Sequence, residues 1–119
     1  MAVPTYDAML RPFLEELVER NSVSLAEMRE ALAVRFALTD EDLSEPLPSG
    51  RQLRFDNRVG WARTYLGKAG LISSPSKGVY QLTQSGRVFL EQHDGPIGLP
   101  ELRTVEAFAD WEEASSKSA

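Results

Sequence analysis

Cysteine is absent from this 119-residue chain, which removes a disulfide framework, a thiolate metal site and a cysteine nucleophile together. Histidine occurs once, as His93, with no serine or cysteine nucleophile beside it, so neither a tetrahedral zinc site nor a nucleophile–base pair can be built on it. It is expected as a solvated residue near a helix end. No apolar run approaches the roughly 20 residues that cross a bilayer, and Met1–Asp7 lacks a basic region followed by an apolar core. A soluble, unexported, cytoplasmic protein is therefore expected. The acids Asp40, Glu41 and Asp42 are consecutive and splay apart on a turn without calcium-loop spacing, while Gly60, Gly67 and Gly70 are too dispersed to cradle a phosphate. No metal, no cofactor and no catalytic residue is predicted.

Acid is also nearly missing from one stretch. Residues 49–90 carry Arg51, Arg54, Arg58, Arg63, Lys68, Lys77 and Arg87 against Asp56 alone, a local charge of +6 in a chain whose total is −5. Residues 1–48 and 91–119 carry −6 and −5, so the two flanks set the acidic isoelectric point and conceal a basic middle. A located excess of one sign marks where a polyanion would meet the protein.

The hydrophobic content of 42% suits one compact domain. Residues 6–20 predict a first helix with Thr5 as N-cap and Tyr6, Met9, Leu10, Phe13, Leu14, Leu17 and Val18 inward; Pro12 either kinks it or leaves Tyr6–Leu10 as a separate turn. Glu15, Glu16 and Glu19 read as its solvated face. Ser24 and Glu27 have capping-box spacing ahead of a second helix reaching about Phe36, with Val23-Ser24 a short strand before it. Thr39 repeats the cap signal, and Pro46 and Pro48 then exclude regular helix. From about Phe55 a third helix places Phe55, Val59, Ala62, Leu66 and Ala69 on one apolar stripe and ends at Gly70. Leu71-Ile72 and Val79–Leu82 predict an antiparallel hairpin whose loose tip is 73–78. Thr83 caps a last helix with Val88, Phe89 and Leu90 inward, in which Gly86 is tolerated at about 1 kcal/mol. Prolines and glycines over 94–100 set a boundary, and the apolar residues of 101–113 share no clean stripe. The expected organisation is a domain over 1–93 followed by a linker or tail over 94–119. The class is mainly α (α+β): a winged helix with a three-helix core, a hairpin wing and a closing helix, though the 37–54 join is much longer than a helix-turn-helix turn.

Several motifs, in order, carry a resemblance. Val-Pro-Thr-Tyr-Asp (3–7), Leu-Pro-Ser-Gly-Arg-Gln-Leu (47–53), Asn-Arg-Val-Gly-Trp-Ala (57–62), Leu-x-x-Ala-Gly-Leu (66–71) and Ser-Lys-Gly-Val-Tyr-x-Leu-Thr-x-x-Gly (76–86) resemble the amino-terminal domain of the Mrr family of restriction endonucleases. The resemblance covers about residues 3–92. It implies a winged-helix DNA-recognition module of a modification-dependent, type IV restriction system, joined in full-length enzymes to a PD-(D/E)xK nuclease that cuts methylated foreign DNA. The chain departs from that pattern: Lys68, Lys77 and Lys117 are preceded two positions earlier by Leu66, Pro75 and Ser115, so no acidic-x-Lys motif occurs. Either the sequence is a domain of a longer protein or it is a stand-alone relative.

The expected DNA-contacting set lies on helix 55–69 and wing 73–78. Asn57, Arg58 and Arg63 can place paired hydrogen bonds on a base edge; Arg51, Arg54, Lys68 and Lys77 suit phosphates, with Thr64 and Ser76 as hydroxyl donors. Trp61 could stack on a flipped base or pack on a methyl group, and Trp61 and Tyr65 could equally seat helix one or a second protomer. Arg58 and Arg63 could instead pair with acidic faces of the first two helices. Double-stranded DNA, methylated or not, is the expected partner. The alternative is a protein-interaction winged helix that forms a homodimer or regulates a partner through its third helix or 101–113.

Overall fold

The computed structural model describes residues 3–118. A 3-10 turn, Asp7–Met9, leads into α1 (Leu10–Arg20), β1 (Ser22–Ser24), α2 (Leu25–Arg35) and the single turn α3 (Asp40–Leu43). There follow α4 (Arg54–Lys68), β2 (Ile72–Ser76), β3 (Val79–Leu82), α5 (Gln84–Gln92), α6 (Leu99–Leu102) and α7 (Glu106–Ser118). The strands form one antiparallel sheet in the order β1-β3-β2. Helices α1, α2 and α4 enclose the core, and the β2–β3 hairpin is the wing of an α+β winged-helix fold. No helix among the described residues is long and apolar enough to cross a membrane.

Pro12 stands in the first turn of α1, where an amide would find no partner inside the helix, and the tighter turn before it takes up Asp7–Met9. The separate first turn is thus the alternative that forms. Thr5 does not cap with its side chain; its hydroxyl donates to the Asp7 carboxylate. Met9, Leu10, Phe13, Leu14 and Leu17 are fully buried, as the periodicity predicts, but Val18 is 45% exposed. Glu16 turns inward in its place, held between Arg20 at 3.1 Å and Arg35 at 3.2 Å, and Arg35 also reaches Glu15 at 2.6 Å. The expected solvated acidic face is therefore largely an ion-pair network between α1 and α2.

The Ser24 box forms in full: the Glu27 amide donates to the Ser24 hydroxyl at 3.1 Å and the Ser24 amide to the Glu27 carboxylate at 2.9 Å. Thr39 and Asp42 build the same box at α3. The long join to α4 is a small hairpin of its own: Leu47 N–H donates to Gln52 O, Arg54 N–H donates to Glu45 O, and Gly50 turns the tip at φ 72°. On α4 the whole expected stripe is buried, Phe55 and Ala69 at 2% and 3% exposure and Val59, Ala62 and Leu66 at 0%. Gly70 closes the helix at φ 73°.

The wing is more regular than its serines suggest. β2 continues through Pro75 to Ser76, which an edge strand tolerates because the proline amide faces no neighbour, and the tip is only Lys77-Gly78. A register shift between Ser73 and Ser76 is bridged by Ser74, whose hydroxyl donates to the carbonyls of Ser76 and Val79 at 2.7 and 2.8 Å. The Leu25 amide donates to Gly78 O, tying the tip to the start of α2.

Thr83 caps α5 as expected, and Phe89 is buried, but Val88 lies at the surface. His93 is half-buried, not solvated: its ring stacks on Phe89 at 4.0 Å and its Nδ1 meets the Phe89 carbonyl. Gly86 is a requirement of packing. A Cβ there would stand 2.2 Å from Leu71 O and 2.6 Å from Leu82 Cδ1. Beyond α5, Arg11 Nη1 donates to the carbonyls of His93 and Gly95, and Ile97, Leu102 and Phe108 join the buried cluster.

Gly86→Ala should therefore lower the melting temperature by roughly 5–10 °C, as overpacking of about 1–3 kcal/mol implies for a domain of this size, and a change within 1–2 °C in thermal denaturation would refute the close approach. The Ser24 amide, then its hydroxyl, holds the Glu27 carboxyl below its ordinary value of 4.5. Its stabilisation is complete above that value and disappears as pH falls through the lowered one. The gap in melting temperature between the native chain and Glu27→Gln should be present at pH 6 and close as pH is taken below about 4.

Candidate nucleic-acid interface

Burying the α4 stripe turns Asn57, Trp61, Thr64 and Lys68 outward and leaves Arg63 and Gly67 on the side of the hairpin. Arg63, Thr64 and Lys68 face Ser73, Ser74 and Tyr80 across an open groove of about 430 Å³. Cations and hydroxyls line it, and no carboxylate does. Asp56, the one acid of the 49–90 stretch, lies away from it, 3.9 Å from Arg29 of α2. Among the described residues no carboxylate comes within ion-pair distance of Arg51, Arg63, Lys68, Lys77 or Arg87.

Not every expected residue has a free functional group. Arg58 Nη1 donates to the carbonyls of Val3 and Pro4 at 2.8 and 3.1 Å, so this guanidinium clamps the N-terminal segment to α4. Arg54 Nε is buried and lies 3.3 Å from Glu45, out of line for a hydrogen bond, which joins the start of α4 to the 45–54 hairpin. Neither arginine pairs with the acidic faces of α1 or α2. Asn57 donates to the Gln52 side chain at 3.2 Å, and Arg51 is exposed at the tip of that same hairpin. Ser76 and Lys77 are exposed at the wing tip. The groove-lining Ser73, Ser74 and Tyr80 were not anticipated; for Tyr80 the signal was available, since it alternates in step with the buried Leu82 along β3.

Aromatic rings brace the other flank of α4. Tyr65 is half-buried and meets Tyr6 edge-on at 5.0 Å, Trp111 at 5.6 Å, Phe108 at 5.7 Å and Trp61 at 5.8 Å. Burial first, then the neighbouring Tyr65, pushes the Tyr6 hydroxyl above its ordinary pKa. Lys68 Nζ lies 5.8 Å above the Trp111 ring, within cation–π range. Trp111 itself is presented by α7, whose position is fastened by a forked pair from Arg103 to Glu112 at 2.8 and 2.9 Å; that hydrogen bonding holds the Glu112 carboxyl below its usual range.

Together these features define a winged-helix domain with an acid-free groove between its third core helix and its wing. A family model described as the Mrr N-terminal domain matches residues 6–92, and the chain belongs to that family. It is also similar, at 37% identity over 98 residues, to the type IV methyl-directed restriction enzyme EcoKMrr of Escherichia coli strain K12. That match covers 82% of this chain and 32% of the enzyme, so the chain spans about a third of its relative's length. No solved structure matches.

The two groups of cations should separate in stability measurements. Arg54→Ala and Arg58→Ala should each destabilise the fold by about 1–2 kcal/mol, because each leaves partners without a charged donor, whereas Arg63→Ala and Lys77→Ala should leave the melting temperature within about 1–2 °C. Equal losses across the four variants would show that the division is wrong.

Proposed function

We propose that this chain is the duplex-DNA-reading domain of a Mrr-type restriction system, seating α4 in the major groove with the wing against flanking phosphates. The observation that supports this most directly is the groove in which Arg63, Thr64 and Lys68 face Ser73 and Ser74 with no carboxylate among them, in a protein of net charge −5. A polyanion gains there what it would lose against either acidic flank. On this reading Arg63, Asn57 and Thr64 serve base edges, while Lys68, Lys77, Ser76 and Arg51 hold the backbone. Arg54 and Arg58 act through the 45–54 hairpin and the N-terminal segment, which they keep against α4.

The relative's name supplies the finer part of the reading. A methyl-directed enzyme about three times the length of the match suggests that the DNA is methylated, that cleavage belongs to a covalently linked nuclease domain, and that the protein works in the cytoplasm on incoming DNA. A protein-interaction winged helix is the competing reading, and the exposed Trp61 is the feature that favours it.

Fluorescence-polarisation titration of a labelled duplex across a salt series tests the proposal. Four phosphate contacts predict a loss of about 100-fold in affinity between 50 and 200 mM salt, since each contact releases close to one counterion. Arg63→Ala with Lys68→Ala should weaken binding and flatten the salt slope by about two. No duplex affinity at low salt, or a double variant that binds as the native chain does, sinks the assignment; a sedimentation mass of twice the chain with no DNA affinity favours the competing reading.

A further inference from the structure

Trp61 is the residue of α4 for which the fold has little use. Its indole is 47% exposed, and its recorded ring contact is with Tyr65 alone. The other large exposed hydrophobics, Val18, Val34, Leu53 and Val88, lie on α1, α2, the lead-in to α4 and α5. Trp61 is thus the exposed aromatic on the outward face, one turn from Asn57 on one side and from Thr64 on the other.

Nor is the indole loosely held. Tyr65, on which it rests, is fixed from three further sides by Tyr6, Phe108 and Trp111, so the apolar plane is ordered before any ligand arrives. An ordered apolar surface loses little entropy on contact, and the polar groups flanking it fix the height at which a base edge can approach. In the major groove, unmodified bases present donors, acceptors and the thymine methyl; modification adds a methyl on cytosine C5 or adenine N6.

We infer that Trp61 is the methyl-reading residue: its indole packs against a methyl group that projects from a modified base into the major groove. The inference rests on the DNA-reading function proposed above and adds to it the source of discrimination. Affinity comes from Arg63, Lys68 and Lys77, which meet all duplexes alike; preference comes from Trp61, which gains only where a methyl displaces water. Removing one methyl from water is worth about fourfold in affinity.

The test compares the native chain, Trp61→Ala and Trp61→Phe on one mixed-sequence duplex in three forms: unmodified, with every cytosine C5-methylated, and with every adenine N6-methylated. The native chain should bind one methylated form at least about fourfold more tightly than the unmodified duplex, and which form it is identifies the base. Trp61→Ala should bind the three forms within about twofold of one another while keeping its affinity for the unmodified duplex within about threefold of the native chain; Trp61→Phe should keep most of the preference. Sedimentation should find the native chain and Trp61→Ala at the same mass. In Trp111→Phe, Trp61 is the sole tryptophan, and its emission should respond to the preferred methylated duplex more than to the unmodified one. A methyl preference that survives in Trp61→Ala, a native chain indifferent to methylation, unresponsive Trp61 emission, or a mass that halves in Trp61→Ala would each overturn the inference. A native chain that binds none of the duplexes would instead remove the DNA reading beneath it.

Discussion

The seating of α4 governs everything else in this domain. Phe55, Val59, Ala62, Leu66 and Ala69 enter the core together, and each large side chain among them stabilises the buried arrangement by about 1.5–3 kcal/mol. Rotating the helix by one residue, about 100°, would bring Arg63 toward the core and carry apolar groups into water, a penalty no surface interaction could offset. The outward direction of Asn57, Trp61, Thr64 and Lys68 is therefore set by their apolar neighbours. The close approach at Gly86 serves the same end, since it lets α5 press on Leu71 and Leu82 directly behind the wing that faces α4.

Electrostatics refine what packing defines. All four arginines of residues 1–48 find carboxylates: Arg11 with Glu15, Arg20 with Glu16, Arg29 with Asp56, and Arg35 with both Glu15 and Glu16. Arg54 and Arg103 do likewise with Glu45 and Glu112. Partly exposed pairs of this kind contribute little stability, on the order of 0–1 kcal/mol each, so their larger effect is on the distribution of charge. They gather acids against cations on α1, α2 and α7, and the cations left without a carboxylate lie along the α4 groove, the wing tip and the hairpin at Arg51. The +6 excess of the middle stretch is thus only partly available at the surface, because Arg54 and Arg58 are engaged within the chain.

Signals that depend on a few neighbouring residues were legible before the structure. The Ser24–Glu27 and Thr39–Asp42 boxes, the α4 stripe and the Gly70 stop each involve one element and its immediate flank, and each forms as expected. What escaped notice depends on partners distant in sequence. Glu16 and Val18 exchange places because Arg35, nineteen residues beyond Glu16, offers a charge to the inward-turning acid. Gly86 looks like a defect until Leu71 O is placed against it. Arg58 looks like a base reader until Val3 O and Pro4 O arrive, fifty-five and fifty-four residues away. The wing misled for another reason: Ser73–Ser76 has turn composition, yet Ser74 bonds across the register shift and keeps the strand intact. Residues 101–113 showed no common stripe because their apolar residues belong to two helices, with the chain bending at 103–105 between Leu102 and Phe108.

That last segment alters how the interface should be understood. The family match ends at residue 92, but Ile97, Leu102 and Phe108 lie beyond it and are at most 3% exposed, so the core does not end there. Phe108 and Trp111 supply two of the four rings around Tyr65, and Trp111 also lies beneath Lys68. One outward-facing aromatic and one outward-facing cation of α4 are thus positioned by residues outside the matched span, with Tyr6 closing the same cluster from its other end. Helix propensity alone would leave both side chains free to sample rotamers; a ring network anchored on α7 restricts them. The α4 face accordingly has two supports of different chemistry, polar strand residues of the wing on one flank and stacked rings on the other. Movement of α7 would alter the second support without disturbing the groove formed by the first.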